Sequence, residues 1–162
     1  MSTVGDSTPL IHLPAISELA LLRDLFTEVS IPPAVLQEVV IRGRGRPGCA
    51  EVDSAIGDWI TVQSPRLLIP APAELKLGAG EWEAISLASE LGPRYLLMDD
   101  REAVEFARSL GIAVLTTPLL LGLAKEVGLI GTVKGRLDAL RTTGFWLQER
   151  AYQRILQACG ED

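Results

Sequence analysis

Short apolar runs alternate along the chain with longer segments whose apolar residues recur every three or four positions. Runs of the first kind are typical of strands buried in a parallel sheet, and the second spacing is typical of helices. The pattern predicts strands at residues 2–5, 29–31, 59–62, 95–98 and 112–115. It predicts helices at residues 9–13, 17–26, 33–41, 49–57, 81–90, 101–110, 118–127, 132–142 and 148–158. This alternation indicates an α/β fold, with helices on both faces of a short, mainly parallel central sheet.

Turn residues and helix breakers set element ends and give no sign of a second domain. Pro14 is expected to end or kink the first helix, because proline lacks the N–H that a helix interior needs. Gly80 precedes a helix predicted to begin at Glu81. No repeat and no long linker divides the chain, so residues 1–162 are predicted to form one domain. Residues 132–162 are predicted to be its helical C-terminal extension.

Composition narrows the class of protein. Hydrophobic residues make up 48% of the chain, which indicates a globular core, and the net charge of −6 disfavours a general nucleic-acid coat protein. An enzyme acting on nucleic acid is not excluded, because a metal-binding pocket itself contributes negative charge. The single histidine, His12, excludes a zinc site of several histidines and is predicted to pack or lie at the surface. Cys49 and Cys159 are predicted to be reduced thiols.

Targeting and membrane signals are not found in the sequence. The N-terminus has no basic region followed by an apolar run, and no apolar stretch approaches the about 20 residues that span a bilayer. We therefore expect a cytoplasmic protein that makes no membrane contact.

Five acidic residues stand at the ends of predicted elements or inside apolar helices: Asp6, Glu38, Glu81, Asp99 and Asp100. Asp6 and Asp99 both fall where a strand stops, and ligands of open parallel sheets bind outside the carboxyl ends of the strands. Carboxylates that converge there repel one another unless a cation lies between them. Hard oxygen ligands favour Mg²⁺ or Mn²⁺.

Each acid also has an ordinary structural explanation. Glu81 complements the helix dipole at an N-terminus, and Glu38 lies on an exposed stripe of an amphipathic helix. One of Asp99 and Asp100 caps the helix that follows, and Asp6 is a turn residue. Their joint occurrence at the ends of separate elements is what favours a shared site.

Other polar and aromatic residues are assigned simpler roles. Glu83 is predicted to be a solvated charge, on a different side of its helix from Glu81. Three arginines beside the helix of Glu38 form a basic loop that grips phosphates or is merely solvated: Arg42, Arg44 and Arg46. The three tryptophans are predicted to lie in the core or an interface: Trp59, Trp82 and Trp146.

Several stretches of the chain, in this order and spacing, resemble a protein family. They are Asp6-Ser7-Thr8-Pro9-Leu10-Ile11, Ile31-Pro32-Pro33-Ala34-Val35-Leu36-Gln37-Glu38-Val39, Gly80-Glu81-Trp82-Glu83-Ala84-Ile85-Ser86-Leu87-Ala88, Leu96-Leu97-Met98-Asp99-Asp100-Arg101 and Leu123-Ala124-Lys125-Glu126-Val127-Gly128-Leu129-Ile130. The chain resembles PIN-domain proteins, the fold of many Mg²⁺-dependent ribonucleases and of VapC-type toxins, and most closely a little-characterised prokaryotic PIN-like subfamily. This resemblance spans nearly the whole chain.

The resemblance implies a catalytic pocket with Mg²⁺ or Mn²⁺. Its catalytic acids would be Asp6, Glu38, Glu81 and Asp99. Asp6, Glu81, Asp99 and Asp100 would be metal ligands, and Ser7 and Thr8 would support them by hydrogen bonding. The chain departs from the family at Glu81, where many PIN nucleases carry Asp. The Asp99-Asp100 pair leaves the fourth acid open, and Asp99 is favoured because it comes first after the strand.

The resemblance further implies a metal-dependent ribonuclease that cleaves single-stranded or looped RNA by endonucleolytic phosphodiester hydrolysis. One expected role is the toxin of a toxin–antitoxin pair, with an antitoxin as partner. A homodimer is also expected, and the Leu119-Leu120-Leu121 run is its contact or else packs in the core.

Two alternatives stay open at this stage. A non-catalytic PIN-like module would bind nucleic acid or protein without turnover. A phosphatase of the dehalogenase-like type would need a second Asp two residues after Asp6, where this chain has Thr8.

Overall fold

A five-stranded, all-parallel sheet forms the centre of the computed structural model, which describes residues 2–161. Its strands are β1 (Thr3–Gly5), β2 (Val29–Ile31), β3 (Ile60–Val62), β4 (Tyr95–Leu97) and β5 (Val114–Leu115). Their order in space is β3-β2-β1-β4-β5. All five predicted strands are confirmed, and the predicted α/β architecture with a short parallel sheet is correct.

Helices follow the strands in the predicted alternation. They are α1 (Ser7–Ala15), α2 (Ala20–Phe26), α3 (Pro33–Leu36), α4 (Cys49–Ala55), α5 (Ala79–Leu91), α6 (Arg101–Ser109), α7 (Thr117–Glu126), α8 (Lys134–Thr142) and α9 (Glu149–Ala158). Helix α3 continues directly into a π-helical turn, Gln37–Ile41, which periodicity did not predict. Among residues 2–161, no helix is both long and apolar enough to cross a membrane.

Both faces of the sheet are buried, as an all-parallel sheet requires. Neighbouring strand residues point to opposite faces, so Leu96 and Leu97 enter different clusters of the core. One cluster packs α5 and α6 against the sheet, and the other contains residues of α1, α2, α3 and the C-terminal helices. Helices α8 and α9 contribute buried side chains such as Leu137 and Ile155 to that second cluster.

Several helix boundaries differ from the sequence prediction; α2, for example, begins at Ala20 rather than at residue 17. Two of these differences concern helices of the site. Helix α1 begins at Ser7 and ends at Ala15, so Pro14 lies in its last turn and the chain leaves the helix one residue later. Helix α5 begins at Ala79, which makes Glu81 its third residue rather than its first. Glu81 therefore occupies the position from which a side chain can reach back to the helix start.

Candidate active site

The order of the strands creates a crevice between β1 and β4. The chain adds β2 and β3 on one side of β1 and then crosses to add β4 and β5 on the other. Ligands of open α/β sheets bind at such a switch point, outside the carboxyl ends of the strands. Asp6 directly follows β1, and its N–H donates to the carbonyl of Leu97 at 3.0 Å. Asp99 follows β4 after a single intervening residue, so both acids emerge at this crevice.

Asp6 is an almost fully buried carboxylate with an unsatisfied oxygen. Its side chain is 3% exposed, and Oδ1 has no hydrogen-bond partner among the described residues. The pKa of Asp6 is raised to about 7, mainly by burial. A hydrogen bond from the Ser7 backbone opposes the rise, and the negative charges of Glu81, Glu38 and Asp99 add to it. The four acids predicted as catalytic therefore interact electrostatically around Asp6.

Glu38 projects from the π-helical turn and is held at both oxygens. The Ser7 hydroxyl donates to Oε2 at 2.5 Å, and the Gly80 N–H donates to Oε1 at 3.2 Å. A Cβ at position 80 would lie only 2.8 Å from Oε1, so the glycine is what allows this approach. Turns of π-helix are often found at functional sites, and here the turn carries an acid of the cluster.

Asp99 is fixed by a residue that the sequence analysis did not identify. Thr117, the first residue of α7, donates its N–H to Oδ1 at 2.7 Å and its hydroxyl to Oδ2 at 2.6 Å. Burial raises the pKa of Asp99 to about 6, although both Thr117 hydrogen bonds act to lower it. One feature of the sequence could have indicated this role: Thr117 carries a hydroxyl at the start of α7, just after β5, the strand beside β4.

Glu81 and Asp100 each have one oxygen in a helix cap. Glu81 Oε1 accepts the Gly78 N–H at 2.9 Å, and Asp100 Oδ1 accepts the Ala103 N–H at 3.0 Å. One of the two neighbouring aspartates was predicted to cap a helix, and that residue is Asp100. Burial raises the pKa of Glu81, as do the charges of Asp100, Glu38 and Glu102. Asp100 is exposed, at the rim of the cluster.

The acids fit a hard divalent cation in their chemistry, but they do not form a closed cage. Within residues 2–161, no three acidic, histidine or cysteine side chains form a group that could hold a metal ion as they stand. The donors are nevertheless carboxylates that repel one another, and one buried oxygen of Asp6 lacks a partner. A cation such as Mg²⁺ or Mn²⁺ would satisfy that oxygen and offset the repulsion.

The polar residues predicted to support the acids differ in whether they contact them. Ser7 binds Glu38, whereas Thr8 is half-buried in the first turn of α1. The basic loop residues Arg42, Arg44 and Arg46 are exposed in the turn that follows the π-helical segment. Within the described part of the chain their guanidinium groups form no hydrogen bond or ion pair, so they are available to a phosphate.

The prediction for Glu83 is wrong. This side chain is half-buried, and its Oε2 accepts the Ala34 N–H at 2.8 Å, which joins α5 to the start of α3. Spacing along α5 could not show this, because the bond depends on how two helices meet.

The tryptophans and the histidine lie in the core, at its edge or at the surface. Trp82 donates its indole N–H to the Ile69 carbonyl at 2.7 Å, and Trp59 packs partly buried against the core. Trp146 is 77% exposed, so it does not belong to the core. His12 bonds the Thr143 hydroxyl at 2.7 Å and packs its ring edge-on against Phe145, as a packing residue would.

Comparisons with known proteins bear on both sequence and fold. The family model DUF3368, described as a PIN domain, matches residues 2–161. A solved structure of a PilT N-terminus domain protein from the archaeon Sulfolobus solfataricus superimposes with a TM-score of 0.59. The two sequences are 21% identical, and the match covers 76% of this chain and 93% of that one, so the likeness concerns the fold. No curated protein matches the chain.

Proposed function

Because the chain belongs to the DUF3368 family of PIN domains, within a superfamily of nuclease type, we propose that it is a metal-dependent ribonuclease that cleaves RNA internally. The observation that supports this most directly is the buried Asp6 carboxylate, which has an unpartnered oxygen and three acids acting on it. Such a cluster is costly to fold unless a ligand offsets its charge. Membership of a PIN-domain family also argues against the dehalogenase-like phosphatase alternative.

The chain's own residues prepare the site. Asp6, Glu81 and Asp99 would hold the cation with Asp100 at the rim, and Ser7 and Gly80 orient Glu38 beside them. Thr117 favours the ionised form of Asp99 by donating two hydrogen bonds. When bound, Mg²⁺ or Mn²⁺ supplies Lewis-acid activation of water and stabilises charge on the leaving oxygen.

The RNA would approach along the basic loop. Arg42, Arg44 and Arg46 are exposed in the turn after the π-helical segment that carries Glu38, where they would contact phosphates of an RNA that extends from the acids. Single-stranded or looped RNA suits such a cleft, because its backbone is free to enter.

The test is cleavage of a mixed set of structured RNAs in Mg²⁺, Mn²⁺ or EDTA. We expect Glu81→Gln and Asp99→Asn to lose at least about 100-fold in activity, because each removes a ligand charge. Asp53→Asn is the control, since it neutralises an exposed acid of α4 that lies outside the cluster. Equal activity in EDTA, or full activity in Glu81→Gln, contradicts the proposal.

The basic loop makes a smaller, salt-dependent contribution. We expect Arg44→Ala to weaken RNA binding and to reduce the slope of log K against log salt by about 1, the value of one phosphate contact. Binding titrations between low and moderate salt measure this slope. An unchanged slope means that the loop is merely solvated.

A non-catalytic PIN-like module is the second candidate. It is favoured by the finding that no group of three acids in residues 2–161 could hold a metal as they stand. Calorimetric titration with Mn²⁺ separates the two candidates, because only the nuclease requires binding that Asp6→Asn abolishes. A chain that neither binds Mn²⁺ nor cleaves RNA is the binding module.

We also propose a homodimer and, for a toxin, an antitoxin partner. Leu120 and Leu121 are fully buried, so the core explanation holds for them, whereas Leu119 is 44% exposed. Leu119 lines an open groove with Leu123 and Ile155. Light scattering of the wild type and of Leu119→Glu tests the dimer, and the neighbouring gene tests for an antitoxin.

A further inference from the structure

Two helices of the site cap each other. Ala34 is the second residue of α3, and its N–H is bonded by Glu83 of α5 at 2.8 Å. Gly80 is the second residue of α5, and its N–H is bonded at 3.2 Å by Glu38, on the π-helical extension of α3. The N–H groups of a first helical turn have no partner within the helix, so each helix supplies a carboxylate that the other needs.

The spacing of these residues places the two hydrogen bonds side by side, at one junction between the two helices. Ala34 and Glu38 are four residues apart on one helical segment, and Gly80 and Glu83 are three apart on the other. Both spacings place residues on the same side of a helix. The missing side chain at Gly80 leaves room for Glu38, and the long side chain of Glu83 spans the distance to Ala34.

Helix α3 depends on this contact more than a long helix would. It has four residues before the π-helical turn, so few of its own hydrogen bonds fix its direction. Pro32 and Pro33 have no N–H, which makes the Ala34 N–H the first donor of the helix. Glu83 therefore holds the segment where it begins, one helical turn before Glu38.

We propose that Glu83 is a positioning residue: by bonding the Ala34 N–H it fixes the segment that carries Glu38 and so places the Glu38 carboxylate against Ser7 and Gly80 in the acid cluster. The catalytic meaning of this placement rests on the proposed nuclease function. The placement itself is a property of the metal-free protein and is measured separately.

The first experiment follows the Gly80 amide in the metal-free protein by NMR hydrogen exchange. Its N–H is bonded by Glu38, so its protection reports where that carboxylate lies. We expect Glu83→Ala to speed Gly80 exchange at least about 10-fold, while Glu83→Gln, whose amide oxygen still accepts a bond, restores protection. Glu83→Met, which keeps length and helix propensity without the acceptor, replaces the alanine variant if that one does not fold.

The matched control lies on the same helix. Both oxygens of Glu90 accept the Arg66 N–H, at 2.7 and 2.9 Å, so Glu90→Ala removes an equivalent carboxylate bond away from the acids. This variant should leave Gly80 exchange unchanged. In a Glu38→Ala background, Glu83→Ala should add nothing further, because the acceptor is already gone.

The second experiment measures function. We expect Glu83→Ala to weaken Mn²⁺ binding about 10–100-fold and to lower kcat with little change in KM, with recovery in Glu83→Gln. Unchanged Gly80 exchange in both acceptor-free variants overturns the positioning role. If Gly80 exchange responds but the wild type binds no Mn²⁺, the positioning role stands and the nuclease proposal fails.

Discussion

Asp6 shows a conflict between folding and the proposed chemistry. A buried carboxylate with an unpartnered oxygen destabilises the fold when it is charged, and the surrounding acids add to the cost. Groups whose pKa is shifted in this way are concentrated at functional sites, because the arrangement serves a ligand.

We expect Asp6→Asn to stabilise the metal-free protein by roughly 1–3 kcal/mol at pH 8 and to lose the stabilisation that Mn²⁺ gives the wild type. The substitution removes one repelling charge and one metal ligand at once. Melting curves in EDTA and in Mn²⁺ measure both effects, with Asp53→Asn as the charge control. A variant that melts lower in EDTA, or gains as much from Mn²⁺ as the wild type, counts against the metal site.

The raised pKa values of Asp6, about 7, and Asp99, about 6, predict the pH dependence of the metal-free fold. Both lie above the unfolded value of 3.8, so between about pH 4 and 7 the folded state binds more protons than the unfolded state. These groups therefore lower stability as pH rises through that window. Urea unfolding in EDTA at several pH values should show the stability of Asp6→Asn, relative to that of the wild type, increasing with pH up to about pH 7. If the difference in unfolding free energy between Asp6→Asn and the wild type stays the same at every pH, the raised pKa of Asp6 is contradicted.

At the scale of elements, the junction of α3 and α5 determines where Glu38 lies. The close approach at Gly80 and the bond from Glu83 to Ala34 are both contacts between these helices. Neither helix alone would hold the Glu38 carboxylate in the crevice.

We expect Gly80→Ala to push the Glu38 carboxylate off the Gly80 N–H, because the new Cβ would lie 2.8 Å from Oε1 at the far end of that flexible side chain. The protein should therefore gain less stability than a helical glycine-to-alanine change ordinarily gives, since this hydrogen bond is lost. Alanine in place of a helical glycine ordinarily stabilises by about 0.5–1 kcal/mol, so the test is whether Gly80→Ala falls short of that gain. Gly135→Ala is the control, since Gly135 is also the second residue of its helix and a Cβ there meets nothing within 4 Å. Urea unfolding compares the two, and a gain in Gly80→Ala as large as that in Gly135→Ala would count against a Glu38 carboxylate held at Gly80.

At the scale of the whole molecule, Glu161 ties the C-terminal helices together. Its carboxylate accepts bonds from Lys125 Nζ and the Val133 N–H, both at 2.8 Å, and from the Lys134 N–H at 3.1 Å. The Lys125 hydrogen bond, followed by the Val133 N–H, lowers the pKa of Glu161 to about 2. One side chain thus joins α7 to the beginning of α8 from beyond the end of α9.

We expect Glu161→Gln to lower the melting temperature at pH 7, because an uncharged side chain loses the ion pair with Lys125. A depressed pKa contributes stability above the unfolded value of 4.5 and loses it as pH falls toward about 2. The difference between variant and wild type should therefore shrink across that range. Melts from pH 7 to pH 3 measure it, with Glu126→Gln, an exposed acid of α7, as control. A difference independent of pH contradicts the assignment.

The sequence was sufficient to predict the sheet and the edge where the acids gather. Short apolar runs showed all five strands, because buried parallel strands are uniformly apolar. Asp6 and Asp99 follow two of these strands, and the carboxyl ends of parallel strands share one edge, so their convergence needed no further information. The role of Asp100 was also within reach, since capping chemistry is local.

Only the tertiary structure decided how the acids are held. The bonds from Thr117 to Asp99, from Gly80 to Glu38 and from Ala34 to Glu83 join residues 18, 42 and 49 positions apart. Periodicity shows which side of a helix is apolar, but it does not show which backbone N–H that side meets. Glu83 looked like a solvated charge for this reason, and the packing of α5 on α3 made it a cap. Local sequence thus placed the carboxylates at one edge, and long-range hydrogen bonds determined their orientation.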